Sequence, residues 1–280
     1  MKHSHLSERH HPSLDTVGIA SWRQSVNGVN SIPISPHWHN HVEILRINKG
    51  AIRITVGEET YCADAGTVIF INPRQIHSGI SLSEQLQYDV VQINLESLTS
   101  KSAASREFLD PLIQEKVRFS VKPSAPAAVK TVNELIRCLS SGVHPLWITG
   151  QVFQMLGILC ELCTIEQGVY HISNDKFRQV LEYIDSHYTE PISAHSLSQQ
   201  FNYNESYFCR LFKQTTGLTL SAYIRILRME RAQQLLRQPE LSIAQVALQC
   251  GYTDANYFSL CVQKHFQTSP SELRQKMLNS

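Results

Sequence analysis

Between Ile32 and Asn94 apolar and polar residues alternate in short runs, the period expected of strands with one face turned to a core. Ile52, Ile54 and Val56 alternate with Arg53 and Thr55, and Val42 to Ile47, Thr67 to Ile71 and Tyr88 to Ile93 read as further strands. Gly57-Glu58-Glu59 and Asp64-Ala65-Gly66 supply turns between them. Short strands at this spacing predict a sandwich or barrel. From about residue 105 the period becomes helical. Ala127 to Leu139 places Val129, Val132, Leu135, Ile136 and Leu139 on one face, and Pro145 to Gln167 forms a second apolar helix. This pair either completes the core of the β domain or supplies a dimer interface. Tyr170 to Asp175 reads as a linker. Beyond Lys176 only helical periodicity remains, opening with the stripe Phe177, Val180, Leu181, Ile184 and Tyr188 before Pro191. The predicted fold class is therefore α+β, a β-barrel followed by helices and then an all-α domain. Its parts are a flexible arm (1–25), a β domain (26–100), a helical region (101–169), the linker (170–175) and an all-helical domain (176–274).

The all-helical part carries a repeat of about fifty residues, which aligns Ile192 to Arg225 with Leu241 to Arg274. Ser193 matches Ser242 and Tyr203 matches Tyr252; after one inserted residue, Tyr207-Phe208 matches Tyr257-Phe258, Phe212 matches Val262 and Ser221 matches Ser271. Each copy reads as a helix capped by serine, a short turn, and a second helix begun at Asn204 or at Thr253-Asp254. These are helix-turn-helix motifs at about 195–216 and 243–266. In the first, Tyr207, Phe208, Leu211 and Phe212 form the inward face, leaving Glu205, Ser206, Cys209, Arg210 and Lys213 outward. In the second, Ala255, Asn256, Ser259, Gln263 and Lys264 are left outward. A helix fits the major groove, so outward side chains on such a helix can reach base edges. The joining helix, Leu220 to Leu236, carries Arg225, Arg228 and Arg231 at three-residue spacing, which either face DNA phosphates or form a solvated face.

Charge agrees with that picture. Residues 176–280 carry 11 Lys+Arg against 8 Asp+Glu, whereas the first 175 carry 14 against 16, so the positive excess lies in the helical domain. With 42% hydrophobic and 18% charged residues the chain is globular, and 280 residues suit two domains. Seven cysteines without paired spacing argue against a disulfide framework and for a reducing cytoplasm. Cys160 and Cys163 make a CxxC inside an apolar helical run and are read as buried small residues. The His-rich segment Met1 to Pro12 lacks the apolar core of a signal peptide. Leu146 to Ile165 has the length of a bilayer span, but Gln151, Gln154 and Glu161 interrupt it, so no membrane association is expected.

The run Tyr207-Phe208-Cys209-Arg210-Leu211-Phe212-Lys213-Gln214-Thr215-Thr216-Gly217, followed by Tyr223-Ile224, Arg228 and Ala232, resembles the AraC/XylS regulators. So does Gly251-Tyr252-Thr253-Asp254-Ala255-Asn256-Tyr257-Phe258 with Ser269-Pro270. The resemblance covers about residues 176–274. It implies base contacts by Ser206, Cys209 and Arg210 in the first recognition helix and by Ala255, Asn256 and Ser259 in the second. Phosphate contacts fall to Lys213, Arg225, Arg228, Arg231 and Lys264. The second copy departs from the family pattern: Leu260 stands for a common Arg, Val262 for a common Phe and Gln267 for a common Gly. The first helix is therefore expected to read sequence and the second mainly to position the domain.

A second constellation is His37-Trp38-His39-Asn40-His41-Val42-Glu43, with His77 further on. Strand alternation would put His37, His39, His41 and Glu43 on one side and make them an effector pocket together with His77. The pattern resembles the cupin signature, which implies that His37, His39, Glu43 and His77 converge on a divalent metal such as Zn, Mn, Fe or Ni. In AraC/XylS proteins such histidines can also line a small-molecule pocket without metal, so both readings stand. No further catalytic set accompanies them, and no enzyme is expected. The combined reading is a cytoplasmic transcription regulator, of the activating kind commoner in that family. It would bind promoter DNA and a small effector and form a homodimer, with RNA polymerase a candidate partner. The rival readings are a metal-dependent cupin enzyme with a helical appendage and a helical protein-interaction module.

Overall fold

A computed structural model describes residues 18–99, 103–162, 164–166 and 171–278. The chain divides into two compact units, one ending at Asp175 and the other beginning at Lys176.

The first unit is built on eight strands: β1 (Ile19–Asn27), β2 (Ile34–His37), β3 (Val42–Lys49), β4 (Ala51–Val56), β5 (Glu59–Asp64), β6 (Val68–Ile71), β7 (His77–Ser81) and β8 (Gln85–Ile93). They form two antiparallel four-stranded sheets, ordered β1-β8-β3-β6 and β2-β7-β4-β5. The space between the sheets is filled by residues of both, among them Leu45, Ile47, Ile52, Ile54, Ile69 and Val90. Alternate residues of the first sheet, Val42, Ile44, Phe70, Val91 and Ile93, face a second core with helices on its other side. Both faces of β3 are thus apolar, as burial on two sides requires.

Helices α1 (Leu95–Thr99), α2 (Ala103–Ile113), α3 (Pro126–Ser140) and α4 (Pro145–Leu162) follow, with short strands β9 (Val117–Phe119) and β10 (Thr164–Glu166) paired antiparallel. Val132, Leu135 and Ile136 of α3 and Val152, Met155, Leu156 and Leu159 of α4 pack in the core on the outer face of the sheet. Of the two roles left open for this helical pair, completing the β domain's core is therefore one it fills.

Several boundaries differ from the sequence reading. The span assigned to the arm contains the start of β1, which pairs along its whole length with β8. Residues 1–17 lie outside the described residues, as does Cys163. The second apolar helix ends at Leu162 and gives way to β10, so the region after the barrel is not purely helical. Strands β2, β5 and β7 are additional, and the hairpin between β4 and β5 turns on Gly57-Glu58 alone, because Glu59 already pairs with Val56. The proposed linker is also shorter: α5 (His171–His187) begins within it.

The second unit continues α5 with α6 (Ala194–Gln200), α7 (Glu205–Thr216), α8 (Leu220–Leu236), α9 (Ile243–Gln249), α10 (Ala255–Phe266) and α11 (Pro270–Leu278). Phe177, Phe208, Phe212 and Tyr223 are fully buried and form a chain of ring contacts, Phe177 and Phe208 tilted against Phe212 at 5.6 and 5.8 Å and Tyr223 edge-on to it at 5.5 Å between centroids. Met229, Leu236, Val246, Phe258 and Val262 pack the corresponding core of the second half. Helix α8 contributes to both.

Candidate functional site

Each helix-turn-helix is begun by its own caps. Ser193 accepts from the Ser196 amide and Ser242 from the Gln245 amide, each closed as a reciprocal capping box. Asn204 and Asp254 cap α7 and α10 through the amide of Tyr207 and those of Asn256 and Tyr257. Both second helices end on a left-handed residue, Gly217 at φ 74° and Gln267 at φ 56°. Glycine adopts that conformation without cost; glutamine does so against roughly 1 kcal/mol.

On α7, Ser206, Cys209, Arg210 and Lys213 are exposed, while Phe208, Leu211 and Phe212 are buried. Tyr207 does not belong to the inward face: it is 48% exposed. On α10, Asn256 and Lys264 are exposed, but Ala255 packs against the second core and Ser259 is half-buried, its hydroxyl donating to the Ala255 carbonyl at 2.8 Å. Ala255 and Ser259 thus offer less to a groove than the resemblance implied. Leu260, not among the expected contacts, is exposed in their stead.

The three arginines of α8 have separate environments. Arg225 is exposed, and Arg231 is half-buried with its guanidinium 3.4 Å from the Gln234 amide oxygen. Arg228 donates to the carbonyls of Tyr188 and Glu190 at 2.8 and 3.1 Å and lies over the Tyr252 ring at 5.2 Å. These bonds hold Arg228 against residues 188–190 and occupy two of its five guanidinium donors. Beside it Gly251, at φ 82°, passes so close to Thr189 that a Cβ would lie 2.4 Å from the Thr189 carbonyl oxygen. Residues 188–190 are therefore clasped both by α8 and by the turn of the second motif.

The second constellation is closed and buried. His37, His39, Glu43 and His77 are all under a tenth exposed, and their candidate ligand atoms lie within 4.8 Å of one another. They do not share one strand. His37 ends β2 and faces His77 across the β2–β7 pair, residues 38–41 form the crossing to the other sheet, and Glu43 lies on β3. Alternation therefore fails between residues 37 and 43, and His41 is not part of the four-residue cluster.

The Nδ1 of each of the three histidines meets a backbone carbonyl: His37 that of Ser35 (2.8 Å), His39 that of His41 (3.1 Å) and His77 that of Gln75 (2.9 Å). A carbonyl only accepts, so each Nδ1–H is the donor in these contacts, which turns the Nε2 atoms toward the centre of the cluster. The Nε2 atoms of His39 and His77 lie 3.1 and 3.7 Å from the Glu43 carboxylate oxygens. Gln92, opposite Glu43 in the β3–β8 register, donates to that carboxylate at 2.8 Å. Burial raises the Glu43 carboxyl, but the His39 bond and the neighbouring imidazoles outweigh it and hold it well below the usual carboxylate range. Burial and the other two imidazoles keep His37 neutral. Gln92 was not predicted, because its partnership depends on strand register. The CxxC reading can be checked only at Cys160, whose thiol is half-buried and pushed up by burial, opposite to a reactive thiolate.

A two-sheet β domain followed by a tandem helix-turn-helix domain is the build of a two-module transcription regulator. Residues 31–154 match the AraC-like ligand binding domain and residues 197–276 a helix-turn-helix domain. The Msm operon regulatory protein of Streptococcus mutans is 25% identical over 241 residues, covering 84% of each chain. The HTH-type transcriptional activator RhaS of Salmonella agona is 25% identical over 251 residues, covering 85% of this chain and 87% of its own. Among solved structures, ToxT from Vibrio cholerae matches at 14% identity over 94% of this chain and all of its own, with a TM-score of 0.45. The chain belongs to the AraC/XylS family of transcription regulators, with a ligand-binding domain and a helix-turn-helix DNA-binding domain. No helix among the described residues is long and apolar enough to cross a membrane.

Proposed function

We propose that this regulator binds promoter DNA through α7 and α10, senses a small molecule in its barrel, and activates transcription. The observation that carries the reading is the pair of equivalent capped helices, each with an exposed outward face, in the half of the chain that holds the positive excess. The relatives named as activators support the sign. The test is equilibrium binding of the full-length chain to duplexes enriched from a random pool. Affinity is expected to fall steeply with salt, log K against log[salt] being linear with a slope set by the number of phosphates neutralised. Absence of sequence preference or of salt dependence would refute it.

The barrel's donor set fits a divalent cation. Three imidazoles oriented with Nε2 toward a carboxylate form a cluster that a cation between them would stabilise, and imidazole with carboxylate suits Zn, Mn, Fe or Ni. We read His37, His39, Glu43 and His77 as that site, with Gln92 orienting Glu43. Protein purified without chelator is expected to carry one equivalent of metal by elemental analysis and to melt lower after chelation. His39→Ala with His77→Ala should abolish both effects, and metal-free protein with an unchanged melt after metal addition would refute the site.

Self-association is the third component. Leu146 and Trp147 of α4 are exposed, Trp147 at 67%, and Gly150 and Gly157 open to free space on the same helix, so a helix of a second copy could approach closely. Trp147→Glu is expected to shift sedimentation from dimer to monomer; a monomeric wild type would refute the dimer.

A further inference from the structure

The outward faces of α7 and α10 differ at positions that the repeat makes equivalent. Ser206 corresponds to Asn256, Tyr207 to Tyr257, Arg210 to Leu260 and Lys213 to Gln263, and all eight residues are exposed. Where α7 presents a guanidinium fork with five donors, α10 presents an isobutyl group that is 63% exposed and has no hydrogen-bonding capacity. The equivalence places Leu260 at the same reading position as Arg210. Asn256 lies four residues earlier, on the same face of the helix.

A major groove offers distinct features to these groups. Arginine matches the O6 and N7 acceptors of guanine, an asparagine amide matches the N6 donor and N7 acceptor of adenine, and the apolar feature of the groove is the thymine C5 methyl. An exposed leucine at a reading position gains by covering that methyl and gains nothing at a G·C pair.

We propose that α10 selects an A·T-rich half-site, Leu260 packing against thymine methyl groups and Asn256 pairing with adenine, while α7 takes guanine through Arg210. This rests on the DNA-binding reading above and sharpens it. The operator of a single chain is then asymmetric in composition, and the second motif reads sequence instead of only positioning the domain.

Duplexes selected from a random pool by the full-length wild type should contain guanine in one half-site and A·T pairs in the other. Deoxyuridine then replaces each thymine of the A·T half-site in turn, which removes only the methyl group. A contacted thymine should cost about three- to five-fold in affinity. Leu260→Ala should lose a similar factor on thymine DNA and become indifferent to the replacement, and Leu260→Arg should move selection at that position toward guanine. Each comparison uses two DNAs on one protein preparation, so it is independent of the folded fraction. Unchanged wild-type affinity on every deoxyuridine duplex, with footprints over both half-sites, would overturn the inference alone. So would unaltered base preference in Leu260→Arg, the result expected if Leu260 met a protein surface. No sequence-preferring binding by the wild type would overturn the regulator reading and this inference with it.

Discussion

Asp89 shows how much of the barrel's outer surface hangs on one carboxylate. It is nearly buried on β8 and accepts from Arg23 of β1 at 2.7 Å and from Arg46 of β3, so it ties its two neighbouring strands to its own. Arg46 also reaches Asn133 of α3 at 3.1 Å. Burial raises the Asp89 carboxyl, but the bonds from Arg23, Asn48 and Arg46 outweigh it and lower it overall. Asp89→Asn is expected to cost about 1–2 kcal/mol, since solvent screens the half-exposed Arg23. The folded value lies below the unfolded one, so this stabilisation is complete above the ordinary carboxylate range and is lost as the pH falls through the folded value. Urea midpoints of wild type and variant should differ at pH 7 and converge as the pH falls below the folded value; a constant gap would refute the account. On α7 the two exposed cations should separate. Arg210→Ala is expected to cost about 1–3 kcal/mol and to relax base preference, whereas Lys213→Ala should weaken all sequences alike and reduce the salt slope by about one. Competition assays with single-base variants of the selected duplex distinguish them.

The elements of the helical domain were largely legible, because their signals are local. Helix α8 runs from Leu220 to Leu236 as its pattern indicates, and Ser193, Asn204, Ser242 and Asp254 cap the helices they precede. Gln267 takes the left-handed conformation that its place at the end of α10 requires. Gln267→Gly should therefore stabilise the domain by about 0.5–1 kcal/mol, read as a higher denaturation midpoint at equal slope. No gain would mean that the side-chain bond from Gln267 to the Lys264 carbonyl offsets the backbone strain. The barrel was less legible. Strand β1, with Arg23, Gln24 and Ser25 in its middle, is a polar edge strand without an apolar alternation, and β7, His-Ser-Gly-Ile-Ser, has a single large apolar residue. The histidine centre was found as a set of residues but not as an arrangement. Its members come from both sheets, and the Glu43–Gln92 pairing exists only once β3 and β8 are in register. Tyr207 was misplaced because a helical stripe read from sequence has no sharp edge.

For the whole molecule, the chemistry lies in two units with different kinds of construction: a buried, hydrogen-bonded centre between sheets in one, and solvent-facing helices in the other. Within the helical unit the segment 188–190 is clasped by Arg228 from α8 and by Gly251 from the second motif. Gly251→Ala should cost at least about 2 kcal/mol, since both the positive φ and the Thr189 carbonyl oppose a Cβ; a thermal melt unchanged from wild type would refute that. The clasp also makes the domain a ruler. With both motifs held to a common segment, the second is expected not to swing to follow a displaced half-site, and each base pair added between half-sites rotates one of them by roughly 35° about the duplex axis. Insertions of a few base pairs should therefore abolish joint engagement, and loosening the clasp with Arg228→Ala should restore tolerance of spacing at the expense of affinity. A domain so braced is expected to discriminate DNA by torsional phase as well as by base sequence.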